Sequence, residues 1–340
     1  MRPTLVDSAR AWWGHKYNRA LQETGARIGR RLGKPADVWL KVTHRCSTRC
    51  VMCNIWQMSN TPSDELSTEQ WKAILDDLRA WLGPYKVTIT GGDPLVRRDM
   101  PVLFELCAKI GLLPEVITRG VGIKDEQAAR RLVASGLVRY HVSIEALRPE
   151  VHDQLIPPAG TLERATRGLR WINEARRHQG SPLQIVIKSI IMGVNHQDIL
   201  PLVNWVVENG FDQIKFQPIE QTLWEEEDAN WHTRSGLWPQ TGEALAGVIG
   251  VVEELIRRKR AGAPISNPEH ELANMIRYFR DPEGMFRVVK DHVLGAVDAA
   301  HRMDGFEIWH NGEVRTTRQR PAIGMAREQA LREIWRSRPQ

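Results

Sequence analysis

The chain has 340 residues, 42% of them hydrophobic, and four cysteines. That is enough apolar material for one large core, which excludes disorder as the default, and three cysteines crowded into eight residues exclude a disulfide framework. The net charge of +6 is local: residues 1–36 hold eight Lys/Arg against Asp7 and Glu23 while the remainder balances at 39 against 39, so the basic pI gives no reason to expect a nucleic-acid partner.

No signal-peptide h-region, lipidation motif or run of ~18 apolar residues occurs, and clustered thiols call for a reducing, cytoplasmic compartment. Residues 7–32 read as a basic amphipathic helix. Trp12, Trp13, Tyr17, Leu21 and Ile28 form an apolar stripe, with Arg10, Lys16, Arg19, Arg27, Arg30 and Arg31 around it. Two readings stay open: a helix packed on the main body, or a helix in peripheral contact with an anionic membrane surface, which would point to a lipid substrate. The 1–36 segment is treated as one unit, ahead of a core spanning 37–240 and an extension spanning 241–340.

Val38 to Thr43 form a β-branched run, the first strand, and lead directly into Cys46-Ser47-Thr48-Arg49-Cys50-Val51-Met52-Cys53. Three thiolates at spacings of four and three call for iron or zinc. One loop of this kind wraps three corners of an iron–sulfur cubane, and its fourth iron stays open to an exogenous chelate such as S-adenosylmethionine (SAM). Zinc, with His44 as a fourth ligand, is the competing reading.

This loop resembles the Cys-x3-Cys-x2-Cys signature of the radical SAM enzymes. Met52 stands where the family usually has an aromatic residue, and as a soft apolar side chain it still shields cluster and adenine from water. The resemblance implies one [4Fe-4S] cluster on Cys46, Cys50 and Cys53, SAM on the open iron, and a flavodoxin- or ferredoxin-type electron donor.

A helix is expected from Thr68 to Trp81 and a second strand from Lys86 to Thr90, followed by Gly91-Gly92-Asp93-Pro94. The glycines let backbone approach a ligand, and a carboxylate at a strand end can receive an ammonium. The turn is similar to the family's Gly-Gly-Glu-Pro, which holds the methionyl amine, with Asp93 one methylene shorter. The alternation continues with a helix at about 99–110, a strand at 114–118, a helix at 124–135 and a strand at 139–145, which predicts a parallel sheet. Cys107 reads as a small buried hydrophobe. Arg119 stands in Thr118-Arg119-Gly120 where relatives commonly have Thr-Asn-Gly, and its consequence does not follow from the sequence. Ser143-Ile144-Glu145 resembles the family's ribose-binding segment, and Pro149 to Asp153 are also similar to the family at that point.

Strands at 184–191 and 213–217, with a helix at 197–208 between them, bring the count to six βα units. Asn195 and Gln217 fall at carboxyl-terminal strand ends, where βα barrels place their sites and where the resemblance places SAM or substrate contacts. Trp224, the acidic run 225–228, Trp231 and Trp238 read either as part of a lid or as a solvated loop. Helices follow at 241–260 and 269–280. Gly305 to Thr316, with Asn311-Gly312 in the turn, is a hairpin, and a helix ending at Ile334-Trp335 closes the pattern. The tail resembles a SPASM/twitch extension without its auxiliary-cluster cysteines, with Thr317 where a ligand is expected.

The fold expected is therefore α/β, a partial (β/α)6 TIM-like barrel with an N-terminal helix and a C-terminal hairpin-plus-helix extension. The function implied is reductive cleavage of SAM to a 5′-deoxyadenosyl radical that abstracts hydrogen from, or adds to, a substrate. A small-molecule or lipid natural product is preferred as that substrate, because about 37 residues before the first strand are too few for a leader-binding domain of typical size. A peptide-modifying maturase and a non-catalytic metal-binding scaffold are the alternatives. No residue is singled out as the catalytic one.

Overall fold

The computed structural model describes residues 18, 20, 21, 24, 25, 32–58, 60–222, 228–283, 305–316 and 321–337. Most of the helix expected over 7–32, the 224–227 part of the expected lid, and Thr317 lie outside the described residues.

Six strands, β1 (Asp37–Thr43), β2 (Lys86–Gly91), β3 (Leu113–Thr118), β4 (Arg139–Ser143), β5 (Gln184–Ile191) and β6 (Gln213–Pro218), run parallel in sequence order. The helices that connect them are α1 (Thr68–Leu82), α2 (Met100–Lys109), α3 (Glu126–Ala134), α4 (Pro149–Leu155), α5 (Thr161–Gln179) and α6 (His196–Glu208). The strands do not close on themselves, so the barrel is partial, as expected. Apolar and polar side chains largely alternate along β1, β2, β4 and β6. Val38, Leu40, Val42, Val87, Ile89, Val116, Tyr140, Val142, Ile185 and Ile187 join the helices in the core, and the intervening residues form an open, largely polar face.

Local chemistry accounts for the element ends. Ser67 caps α1, accepting from the Gln70 amide while the Gln70 side chain accepts from the Ser67 amide. Asp125 caps α3 through the Ala128 amide. The sequence reading placed no helix between 146 and 183, yet α4 and α5 both lie there. The signal in α5 was Leu162, Ala165, Leu169 and Ile172 at helical spacing, obscured by a polar surround. β4 stops at Ser143 rather than 145, which leaves Glu145 in the loop beyond the strand.

After β6 come α7 (Gly242–Arg260) and α8 (Glu269–Arg280). The edge of β6 is covered by the segment between them. Ile214 pairs with Pro264 and Ser266, and the Asn267 side chain takes both the N–H and the C=O of Phe216. The hairpin β7 (Gly305–Trp309) and β8 (Glu313–Arg315) forms as expected, and β7 pairs parallel with β1, with Lys41 opposite Trp309. With β9 (Gly324–Met325) the sheet has nine strands in the order β6-β5-β4-β3-β2-β1-β7-β8-β9. α9 (Leu331–Arg336) packs on α1, its Trp335 donating to the Gly33 carbonyl at 2.6 Å.

Candidate active site

The cysteine loop leaves β1 at its carboxyl end and is fixed by two layers of contacts. Beneath it, the buried Glu65 carboxylate accepts from Arg45 Nε and Nη2 at 2.8 and 2.9 Å, from Arg97 Nη1 at 3.1 Å, and from the Thr43 hydroxyl. Burial alone would raise the Glu65 pKa, but bonds from Arg45, Thr43 and Asn60 outweigh it and hold the carboxyl below its usual range. Above, the Arg49 and Val51 amides donate to the Pro157 and Leu155 carbonyls at 2.8 and 3.0 Å, docking the loop on the end of α4.

Within the loop, the Thr48 hydroxyl lies 3.2 Å from Cys46 Sγ and 3.5 Å from Cys50 Sγ. The Cys53 amide closes a turn on the Cys50 carbonyl at 3.1 Å. Cys50 and Met52 are buried, while Cys46 and Cys53 are half-buried. Burial pushes the Cys46 thiol up, opposed by the Thr48 bond. Among the described residues no three His, Cys, Asp or Glu side chains meet closely enough to hold a single metal ion. His44, the candidate zinc ligand, instead packs its ring on His310 and Trp309, with centroids 4.2 and 5.3 Å away. Burial and the neighbouring His310 and Lys41 pull its pKa down to about 4.

The Gly-Gly turn after β2 lies flat against this loop. A Cβ on Gly91 would come within 2.1 Å of the Thr43 carbonyl oxygen, and one on Gly92 within 2.2 Å of the Arg45 oxygen. The Gly92 and Asp93 amides donate to those same two carbonyls at 2.7 and 2.9 Å. Only glycine permits the approach. Asp93 is 1% exposed, with Oδ1 accepting from the Thr118 hydroxyl at 2.6 Å and the Leu95 amide at 3.1 Å, and Oδ2 accepting from the Arg119 amide at 3.3 Å. Burial raises its pKa against these bonds. Pro94 is buried behind it and starts a short turn.

Arg119, unexplained in the sequence, reaches from the end of β3 to Glu145, Nη1 to Oε1 at 3.0 Å. Burial disfavours its charge, yet Cys50, Glu145 and Cys53 nearby favour it and prevail. Glu145 is 1% exposed, and its Oε2 accepts from the Ile190 amide at 2.7 Å. Asn195 is fully buried and clamps the same strand ends. Its Nδ2 donates to the Glu145 and Ile190 carbonyls at 2.8 and 2.9 Å, and its Oδ1 accepts from the Met192 amide at 2.8 Å. Ser143 is half-buried at the end of β4, and Gln217 is exposed on β6, opposite Ile190.

The structure thus brings Cys46, Cys50, Cys53, Met52, Gly91, Gly92, Asp93 and Pro94 together at the ends of β1 and β2. Glu145 and Asn195 sit together at the ends of β4 and β5, and Arg119 connects the two groups. Sequence reasoning missed the Arg119–Glu145 pair, for which no spacing signal exists, and His152. The His152 ring is buried beside Arg119 and Glu145, and its Nε2 has no hydrogen-bond partner among the described residues. Three thiols, a cation beside two of them, a turn that admits only glycine and an orphaned buried nitrogen together fit a ligated cluster with an organic ligand above it.

Comparisons agree with this geometry. A profile of the Radical SAM superfamily matches residues 40–206. The Fe-coproporphyrin III synthase of Methanosarcina barkeri is 30% identical over 183 residues, covering 54% of this chain and 43% of that protein. The PqqA peptide cyclase of Methylocella silvestris is 24% identical over 313 residues, covering 90% of this chain and 75% of that one. Streptococcus suis SuiB bound to S-adenosylmethionine superposes with a TM-score of 0.64 at 16% identity, covering 90% of this chain and 66% of SuiB. The same protein bound to its precursor peptide SuiA gives a TM-score of 0.63. The chain therefore spans between about two fifths and three quarters of these relatives. On the matched barrel, its cysteine loop and its partial α/β architecture, the chain belongs to the radical SAM superfamily.

Proposed function

We propose that this chain is a radical SAM enzyme that modifies a peptide. The observation that carries the peptide reading is the extent of the matches. A peptide cyclase and a protein seen with a precursor peptide each pair with about 90% of the chain, well beyond the barrel. The earlier preference for a small molecule or lipid rested on the length of chain before β1, and that length carries no weight here.

In this reading Cys46, Cys50 and Cys53 hold a [4Fe-4S] cluster. When bound, cluster and SAM supply an electron and a 5′-deoxyadenosyl radical. The protein's own part is placement and shielding. The Gly91-Gly92 turn brings backbone against the cysteine loop, and the Asp93 carboxylate stands at the strand end to share its acceptors with an ammonium. Arg119 places positive charge beside Cys50 and Cys53, where thiolates accumulate negative charge. Buried Met52 and the Leu155–Pro157 docking of the loop keep water from that corner.

The test is anaerobic reconstitution followed by SAM and a reductant, with a short peptide encoded beside the gene offered as substrate. The native protein should form 5′-deoxyadenosine and change the mass of the peptide, and Cys50→Ala should lose both iron and SAM cleavage. Colourless protein with stoichiometric zinc would overturn the enzyme reading. Turnover of small molecules or lipids, with the peptide untouched, would overturn the substrate class.

A further inference from the structure

Charges on the open face of the sheet pair off with one exception. Lys41 meets Glu307 at 2.6 Å, Arg139 and His141 share Glu115 at 3.2 and 3.5 Å, and Lys215 reaches Glu271 at 3.8 Å. Lys188 lies within β5, opposite Ser143 on one side and Lys215 on the other, and its side-chain ammonium makes no hydrogen bond or ion pair among the described residues. Its electrostatic neighbours are Lys215, Glu145 and Arg119, and that one carboxylate is already held by Arg119. Burial first, then Lys215 and Arg119, pull its pKa down. A half-buried lysine whose ammonium has two cations among its neighbours gains from an added anion.

The adjoining strand carries a second unmet group. His141 turns Nε2 to Glu115, and its Nδ1 is buried without a partner among the described residues. Burial lowers the ring's pKa despite Glu115, with Lys188 and Arg139 adding to the effect, so the ring is neutral at pH 7. With the proton on Nε2 facing the carboxylate, Nδ1 is an acceptor lacking a donor.

We propose that Lys188 and His141 form a subsite for an acidic residue of the substrate, the ammonium taking its carboxylate and His141 Nδ1 accepting from a substrate N–H. The inference rests on reading this face as the substrate side of a radical SAM site. One uncompensated ammonium balances one negative charge, which favours a carboxylate over a phosphate dianion. The methionyl carboxylate of SAM is the other monoanion to consider. The cation with Cys50 and Cys53 among its neighbours is Arg119 just past the end of β3, however, and Lys188 stands two strands further from the cysteine loop.

The experiment uses reconstituted protein whose lysines are reductively dimethylated with carbon-13, a label that keeps their charge. The Lys188 resonance is assigned by its loss in Lys188→Met. Probes are the methylamides of N-acetylglutamate and N-acetylglutamine at equal ionic strength. The glutamate probe should shift the Lys188 signal saturably and bind at least about tenfold more tightly than the glutamine probe, while Lys188→Met keeps SAM affinity within about twofold of native. Equal responses to the two probes, or none, overturn the subsite. So does a roughly tenfold loss of SAM affinity in Lys188→Met, because the ammonium would then serve SAM. Native protein that fails to bind SAM while Lys188 still answers the glutamate probe would remove the radical SAM reading and leave the subsite standing.

Discussion

Asp93 and Glu65 are both buried carboxylates near the cysteine loop, and their surroundings shift them in opposite directions. Around Asp93 desolvation wins, so the ionised form gains from any further donor. An incoming ammonium is such a donor, and a charge-assisted bond is worth about 1.5 to 3 kcal/mol. Asp93→Asn should therefore weaken SAM binding roughly tenfold to a hundredfold with iron content unchanged, as read by equilibrium dialysis and iron assay. Equal affinity in the two proteins would place the amine elsewhere. Around Glu65 the bonds win, and the folded-state pKa lies below the unfolded one. Its stabilisation is then complete above the unfolded value of about 4.3 and is lost as pH falls through the folded value. Glu65→Gln should lower Tm at pH 7, and the gap to native should shrink below about pH 4. A gap independent of pH would contradict the ion-pair role.

At the level of elements, the strand most exposed to test is β7, because it lies against the strand that launches the cysteine loop. Phe306 is fully buried, its ring 5.5 Å from Trp81 and 5.6 Å from Trp335. Phe306→Ala should cost about 3 to 5 kcal/mol of stability. It should also reduce iron retention on reconstitution, since β1 would lose a packed neighbour. Calorimetry and iron assay read the two effects, and a large fall in Tm with full iron loading would separate the hairpin from the site. The elements themselves were largely legible in the sequence: hydrophobic patterning between glycines and prolines marked all six barrel strands, and Asn311-Gly312 marked the hairpin. What spacing could not carry was pairing. Nothing in Gly305 to Trp309 says that β7 takes the free edge of β1, and α5 was missed because Arg and Glu crowd its apolar stripe. Asn195 was legible as a residue at a strand end, yet its amide serves backbone on both sides, a fact that needs the fold of three loops to appear.

Across the whole molecule, the supply of thiols limits the chemistry. Beyond the loop there remains Cys107, which is fully buried on α2 with its pKa pushed up to about 12 by desolvation, a poor ligand for any metal. Reconstituted chain should accordingly bind about four irons, and about eight irons in two Mössbauer environments would refute a single cluster. A count of four would leave no second cluster to accept an electron, and redox-neutral outcomes would then be favoured over two-electron dehydrogenation. The parallel pairing of β7 with β1 carries a further implication, for synthesis. Trp309 lies opposite Lys41, so β1 gains its second neighbour only after some 270 further residues have left the ribosome. Such long-range pairing is slow. During translation, β1 and the thiols that follow it wait with one flank bare until Gly305–Trp309 has been made and docked.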